Sequence, residues 1–194
     1  CMSAVNNSTC VTIKTSDFGV LSDGRRAELY TLSNKMMSVA ITNYGGIITS
    51  ITVPDNQARI EDIVLGYDNV AQYEQDTYYL GAIIGRYAGR IKDGKLTVNN
   101  NNYQLTLNTP DSQLHGGKKA LNKQLWHAKT NLSDDSAQLI LTYTSLHGEE
   151  GFPGNVDFKV VYTLDIENRL TVEYFASTDQ DTVINLTQHS YFNL

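Results

Sequence analysis

Apolar and polar residues alternate along most of this chain with a period of two, which is the pattern of strands with one buried face. The clearest run sets Val156, Phe158, Val160, Tyr162 and Leu164 against Asp157, Lys159 and Thr163. Similar patterning predicts strands at 11–20 (with a turn at Phe18-Gly19), 27–33, 37–42, 47–53, 126–131, 137–145, 156–164 and 170–176, and a short apolar run adds 60–65. Turn-forming clusters separate them: Ser22-Asp23-Gly24, Asn43-Tyr44-Gly45-Gly46, Pro54-Asp55-Asn56, Gly66-Tyr67-Asp68 and Asp165-Ile166-Glu167-Asn168. Residues 95–107 predict a hairpin. Leu96 and Val98 alternate into Asn99 to Asn102, then Tyr103, Leu105 and Leu107 alternate out, and asparagine tolerates the left-handed backbone of a tight turn. Residues 68–80 are the best helix candidate, with Val70, Tyr73 and Thr77 at roughly helical spacing, and an irregular loop with one helical turn fits them as well. Many short strands and no long helix predict an all-β, antiparallel sandwich or barrel.

Length and composition narrow the class. A chain of 194 residues suits one domain or a large piece of one. Residues 1–10 are expected to form a flexible tail and 11–194 the folded part. Hydrophobic content of 41% excludes disorder, and the apolar runs are too short and interrupted to span a bilayer. A net charge of −6 argues against a nucleic-acid partner, which needs clustered lysine and arginine; Arg86, Arg90 and Lys92 are too few to reverse it. The two cysteines, Cys1 and Cys10, have no metal spacing. Cys1 is open to three readings: a remnant before Met2, the first residue of a mature lipoprotein, or a disulfide partner of Cys10.

Candidate chemistry concentrates in residues 81–117, which carry Gly85-Arg86-Tyr87-Ala88-Gly89-Arg90-Ile91 and Leu114-His115-Gly116-Gly117. Glycine allows the main chain to approach a ligand closely. On spacing alone, His115 is as consistent with a surface turn as with a site, and both arginines with packing. Of the other histidines, His127 reads as structural within a strand, His147 opens a Gly/Pro-rich surface turn, and His189 lies beside aromatic residues. Ser190 cannot pair with His189 as nucleophile and base, because strand neighbours point to opposite faces. A metal held by His115, His189 and a carboxylate is disfavoured, since no short-range ligand spacing exists.

Taken in order, Gly85-Arg86 with Gly89-Arg90-Ile91, Leu114-His115-Gly116-Gly117, Gly148-Glu149-Glu150-Gly151-Phe152-Pro153-Gly154 and Asn185 to Leu194 resemble the galactose mutarotases (aldose 1-epimerases). The resemblance covers nearly the whole chain from about residue 12. It implies a large antiparallel supersandwich binding a hexose, galactose or glucose, in a cleft across a sheet. It implies interconversion of the α and β anomers without metal or cofactor. His189 is then the acid at the ring oxygen, His115 a hydrogen-bonding partner there, and Arg90 the sugar-binding arginine. Gly89, Ser190 and Tyr191 line the site. Gly89 stands where the family usually has asparagine, and Gln188 where asparagine usually precedes the histidine. The family's catalytic glutamate and sugar-binding aspartate match nothing in this sequence, so the chain is expected to be the N-terminal part of a single mutarotase-like domain, incomplete at its C-terminal side and weak or inactive alone. A cytoplasmic location is expected, or a periplasmic or lipoprotein one if Cys1 is a mature N-terminus. Two alternatives remain: a non-catalytic sugar-binding module, and a hexose-6-phosphate epimerase with Lys118-Lys119 at the cleft.

Overall fold

The computed structural model describes residues 10–194. The expectations for the tail and for Cys1 fall almost wholly outside that range. In chain order the strands are β1 Thr12–Val20, β2 Arg26–Ser33, β3 Ser38–Thr42, β4 Ile48–Pro54 and β5 Ile60–Asp62, then a short helix α1 Val70–Gln75. There follow β6 Ile83–Ile84, β7 Arg90–Lys92, β8 Lys95–Val98, β9 Asn101–Gln104, β10 Ser112–Leu114, β11 His127–Leu132, β12 Ser136–Ser145, β13 Val156–Asp165, β14 Leu170–Thr178 and β15 Thr187–Gln188.

Two antiparallel meanders provide the layers. One is β1-β2-β3-β4-β5 and the other β11-β12-β13-β14. Their inner faces meet: Leu32, Val39, Ile41 and Ile51 pack with Leu139, Leu141, Phe158, Val160 and Leu164 in one buried cluster. Burying each such side chain stabilises by about 1.5–3 kcal/mol. Tyr162 crosses between the layers, its buried hydroxyl donating to the Gly46 carbonyl at 2.7 Å. A second cluster, formed by Leu21, Ala27, Tyr44, Ile47, Val70, Tyr73, Leu80 and Ile84, lies under α1.

The alternating runs became strands, and the differences have local causes. β1 does not turn at Phe18-Gly19 but bulges there, the register shifting between Asp17 and Gly19. The run at 60–65 gives only three strand residues, all exposed. The Asp62 carboxylate accepts from the backbone N–H groups of Ile51 and Val64, which ends the ladder. Within 68–80 only six residues are helical. Asn69 caps them, its side chain accepting from Gln72 N, and Asp76 closes them in extended geometry. The hairpin of β8 and β9 turns on Asn99 and Asn100, both at positive φ (50° and 62°). Among the described residues no helix is long and apolar enough to cross a membrane.

Candidate active site

Three segments that contribute little regular structure converge. β7 pairs with β10 so that Arg90 lies opposite Leu114, one residue before His115. β15 pairs with β6, and the chain continues with His189 N donating to Ala82 O (2.9 Å) and Gly81 N donating to His189 O (3.2 Å). The Gln188 side chain clamps the same corner, its Nε2 donating to Gly81 O at 2.7 Å and its Oε1 accepting from Ser190 N at 2.8 Å.

The His115 and His189 rings thereby come to 5.2 Å between centroids, nearly perpendicular at 79°. They are 74 positions apart in sequence and share one site. His115 is clasped by Gly89 at both ends: its N–H donates to Gly89 O (2.9 Å), and its Nδ1 accepts from Gly89 N (3.0 Å). Because Nδ1 is an acceptor, the neutral ring carries its proton on Nε2. Gly89 adopts φ 109°, a conformation that L side chains rarely reach, so glycine suits this clasp. Burial, then the neighbouring His189 and Arg90 charges, hold the His115 pKa below the ordinary 6.5. The pair is thus arranged so that His115 remains a neutral Nε2–H donor near neutral pH.

The turn that presents His115 is fixed from behind. A Cβ on Gly116 would come within 1.8 Å of the Gly85 carbonyl oxygen, so the two glycine motifs are in backbone contact. Glu150 closes the far side, its carboxylate accepting from Lys118 N and Lys119 N, both at 2.9 Å. Asn108 ties the near side. Its Oδ1 accepts from Leu114 N (2.6 Å), and its Nδ2 donates to Leu114 O (2.8 Å).

The two arginines of the motif separate sharply. Arg86 is 2% exposed. Its guanidinium donates to Ser145 Oγ and to the carbonyls of Ser145, Leu146, Pro153 and Gly154 at 2.8–3.1 Å. Ser145 Oγ in turn donates to Glu149 Oε1 (2.6 Å), which relays the balancing charge. Arg86 therefore knits the 145–154 loop to the site. Arg90 is exposed beside the imidazoles.

Of the other residues expected at the site, Tyr191 packs on His189 at 5.2 Å, and its hydroxyl donates to Tyr78 O. Ser190 lies next in the chain to His189, but its Oγ is buried without a hydrogen-bond partner in the protein. His147 accepts on Nδ1 from Gly154 N within its own turn. His127 is exposed on the outer face of the β11–β14 sheet and helps line a hollow of about 670 Å³ there with Lys159 and Phe175. Lys159 Nζ lies over the Phe175 ring at 4.3 Å and covers its face.

Sequence reasoning missed Tyr79 and Asn108. The Tyr79 ring meets His115 edge-on at 4.9 Å and lies tilted on His189 at 5.8 Å. Tyr79 fell inside the helix candidate and Asn108 in a loop, so neither carried a periodic signal. The only available hint was their position just outside the two glycine motifs.

Comparison with known proteins fits this architecture. The aldose 1-epimerase family profile matches residues 28–194. A galactose mutarotase of Bos taurus is 40% identical over 185 residues, covering 95% of this chain and 53% of that protein. An aldose 1-epimerase of Haemophilus influenzae is 37% identical over 174 residues, or 89% and 49% of the two chains. The crystal structure of galactose 1-epimerase from Lactobacillus acidophilus NCFM matches with a TM-score of 0.85 at 28% identity, covering 95% of this chain and 54% of that one. The chain spans about half the length of the curated relatives it matches. With four ordered motifs folded around one histidine pair and this breadth of similarity, the chain belongs to the aldose 1-epimerase family.

Proposed function

We propose that this chain carries the acid side of a site that interconverts the α and β anomers of a free aldohexose, galactose or glucose. The observation carrying the reading is the contact of two imidazoles at 5.2 Å, one of them held as a neutral donor by the Gly89 clasp. Anomerisation needs a base to take the proton from the C1 hydroxyl while an acid protonates the ring oxygen. The bond from C1 to the ring oxygen then breaks, giving the open aldehyde. Rotation about C1–C2 and reclosure return the ring-oxygen proton to the acid and a proton from the base to O1, on the other face.

His189 is the acid in this reading. His115 is a second donor to the ring oxygen. Two imidazolium charges 5.2 Å apart would repel by about 3 kcal/mol at an effective dielectric of about 20, before water trims the figure. Arg90 donates to sugar hydroxyls, a task its planar multi-donor fork suits. Tyr191 and the Gly89 and Ser190 backbones border the sugar. Among the described residues no carboxylate contacts either ring, so the base is assigned to the glutamate that the family resemblance implies and that this sequence does not match.

Polarimetry of fresh α-galactose and α-glucose tests the proposal. A longer polypeptide containing these 194 residues should speed equilibration, and His189→Asn should reduce its kcat at least a hundredfold with the fold intact. The 194-residue chain alone should be far slower. An Asn variant as fast as the parent would remove the acid role.

A further inference from the structure

Three rings, not two, are in mutual contact at this site. Tyr79 meets His115 at 4.9 Å and 82°, and His189 at 5.8 Å and 35°, while the imidazoles are 5.2 Å from each other. In a closed triangle of this kind, displacing one ring removes a packing partner from both others. We propose that Tyr79 is a positioning residue for both imidazoles and that Asn108 fixes it to the turn that bears His115. The inference rests on the epimerase reading for its purpose, but not for its geometry.

The backbone supports it. Tyr79 has φ 60°, a left-handed value that is uncommon for a bulky aromatic residue, and His115 has φ 53°. Such residues persist where their surroundings over-determine them. The surroundings here are largely one amide. Asn108 accepts from Leu114 N, and the two Nδ2 hydrogens are shared among Leu114 O at 2.8 Å and, at 3.3 Å each, Gly117 O and the Tyr79 hydroxyl. The same side chain therefore fixes both flanks of the His115 turn and the ring that packs against it. From the other side Tyr79 O accepts from Ala82 N, and Ala82 O accepts from His189 N. Tyr79 is thus tied to the His189 segment through backbone hydrogen bonds as well as through its ring.

The consequence is chemical as well as steric. The Tyr79 ring shields His115 from water and keeps it an uncharged donor at a fixed point. The charged or titratable groups acting on His115 are His189 and Arg90, and those acting on Tyr79 are Asp76 and Arg90. None of those acting on His115 is a carboxylate, and burial, to which the contacting Tyr79 ring contributes, is the first cause acting on it.

Side-chain nitrogen and proton NMR of the folded 194-residue chain provides the test, because it reads tautomer and titration without turnover. Wild type should show ring-to-ring NOEs among Tyr79, His115 and His189, with His115 as the Nε2–H tautomer. Tyr79→Ala should raise the His115 midpoint toward 6.5 and mix its tautomers. Tyr79→Phe keeps the ring but loses the tether, and should shift the midpoint less, in the same direction. Asn108→Ala should do likewise. A His115 titration unchanged in Tyr79→Ala overturns the proposal, and a Phe variant identical to wild type overturns the share given to Asn108. If these variants do not fold, absence of the wild-type NOEs overturns it and their presence upholds it. A longer polypeptide lacking mutarotation would remove the epimerase reading and leave the ring triangle standing.

Discussion

The sheet of β11 to β14 and the region from Tyr79 to Gly117 are built by opposite means. In the sheet, β12 and β13 pair over ten successive positions, from Ser136↔Asp165 to Ser145↔Val156, with no register shift. Leu139, Leu141, Phe158, Val160 and Tyr162 on its inner face are buried. The region from Tyr79 to Gly117 has strands of two to four residues, and its course depends on left-handed residues such as Tyr79, Gly89 and His115. Repetition holds the first together and individual contacts hold the second. The ring cluster draws Tyr79 and His115 from the second and His189 from a later segment, because such a constellation needs side chains at set points that a period of two does not supply. The sheet should therefore tolerate conservative change with a graded loss of stability, while the loop region should fail at particular positions.

The largest effect expected from breaking that contrast is at Arg86. Arg86→Ala removes the donor for three buried carbonyls, for the part-buried Leu146 carbonyl and for Ser145 Oγ, and leaves Glu149 without its relayed partner. Removing one member of a buried charge network costs about 3–5 kcal/mol. Urea unfolding followed by fluorescence should show that loss in the midpoint, or no cooperative transition at all. Arg90→Ala, four residues away and exposed, should stay within about 0.5 kcal/mol of wild type. It should instead weaken sugar binding in a longer polypeptide. Equal stabilities for the two variants would contradict the division of roles between these arginines.

Gly116→Ala comes next. Its Cβ would overlap the Gly85 carbonyl at 1.8 Å, and its φ is 91°. The backbone must shift, at a cost on the order of 2–4 kcal/mol, combining a strained left-handed residue with a clash against main chain. The shift would part the His115 turn from the Gly85-Arg86 segment, so the His115 imidazole resonances should move. Leu139→Ala in the sheet should cost a similar 2–5 kcal/mol by leaving a cavity, yet leave those resonances where they are. Matching destabilisation with different spectra would sharpen the contrast. Identical spectra would dissolve it.

How much of this was legible follows the same line. Val156 to Leu164 announced itself through five alternating apolar residues, and the Asn99-Asn100 turn through residue type, because period and turn chemistry are local properties. The run at 60–65 misled because it is short and apolar, while one carboxylate, Asp62, captures the backbone donors of Ile51 and Val64. The family resemblance picked out His115, His189 and Arg90 through motifs. Spacing alone could not separate Arg86 from Arg90, since both are glycine-flanked and only the fold turns one inward. Tyr79 and Asn108 were invisible because their roles exist only once residues about thirty and more than a hundred positions apart have been brought together.

The smallest expected effect concerns pH. In the folded chain His115 is held below its ordinary 6.5 by burial and by the His189 and Arg90 charges. As pH falls past 6.5 the unfolded chain takes up the proton first, so the unfolded state gains and stability declines. Above 6.5 the ring is neutral in both states and contributes no slope. Below the folded value it is charged in both, and the loss is complete. Stability should therefore be level from pH 8 to about 7 and fall with acid between 6.5 and the depressed folded value. His115→Gln isolates this share. The amide oxygen can still accept from Gly89 N, and any constant change in stability cancels when slopes are compared. The difference between the two curves should thus be flat above 6.5 and narrow only on the acid side. Parallel curves across that window would mean that His115 is as exposed to water as a residue of the outer sheet face.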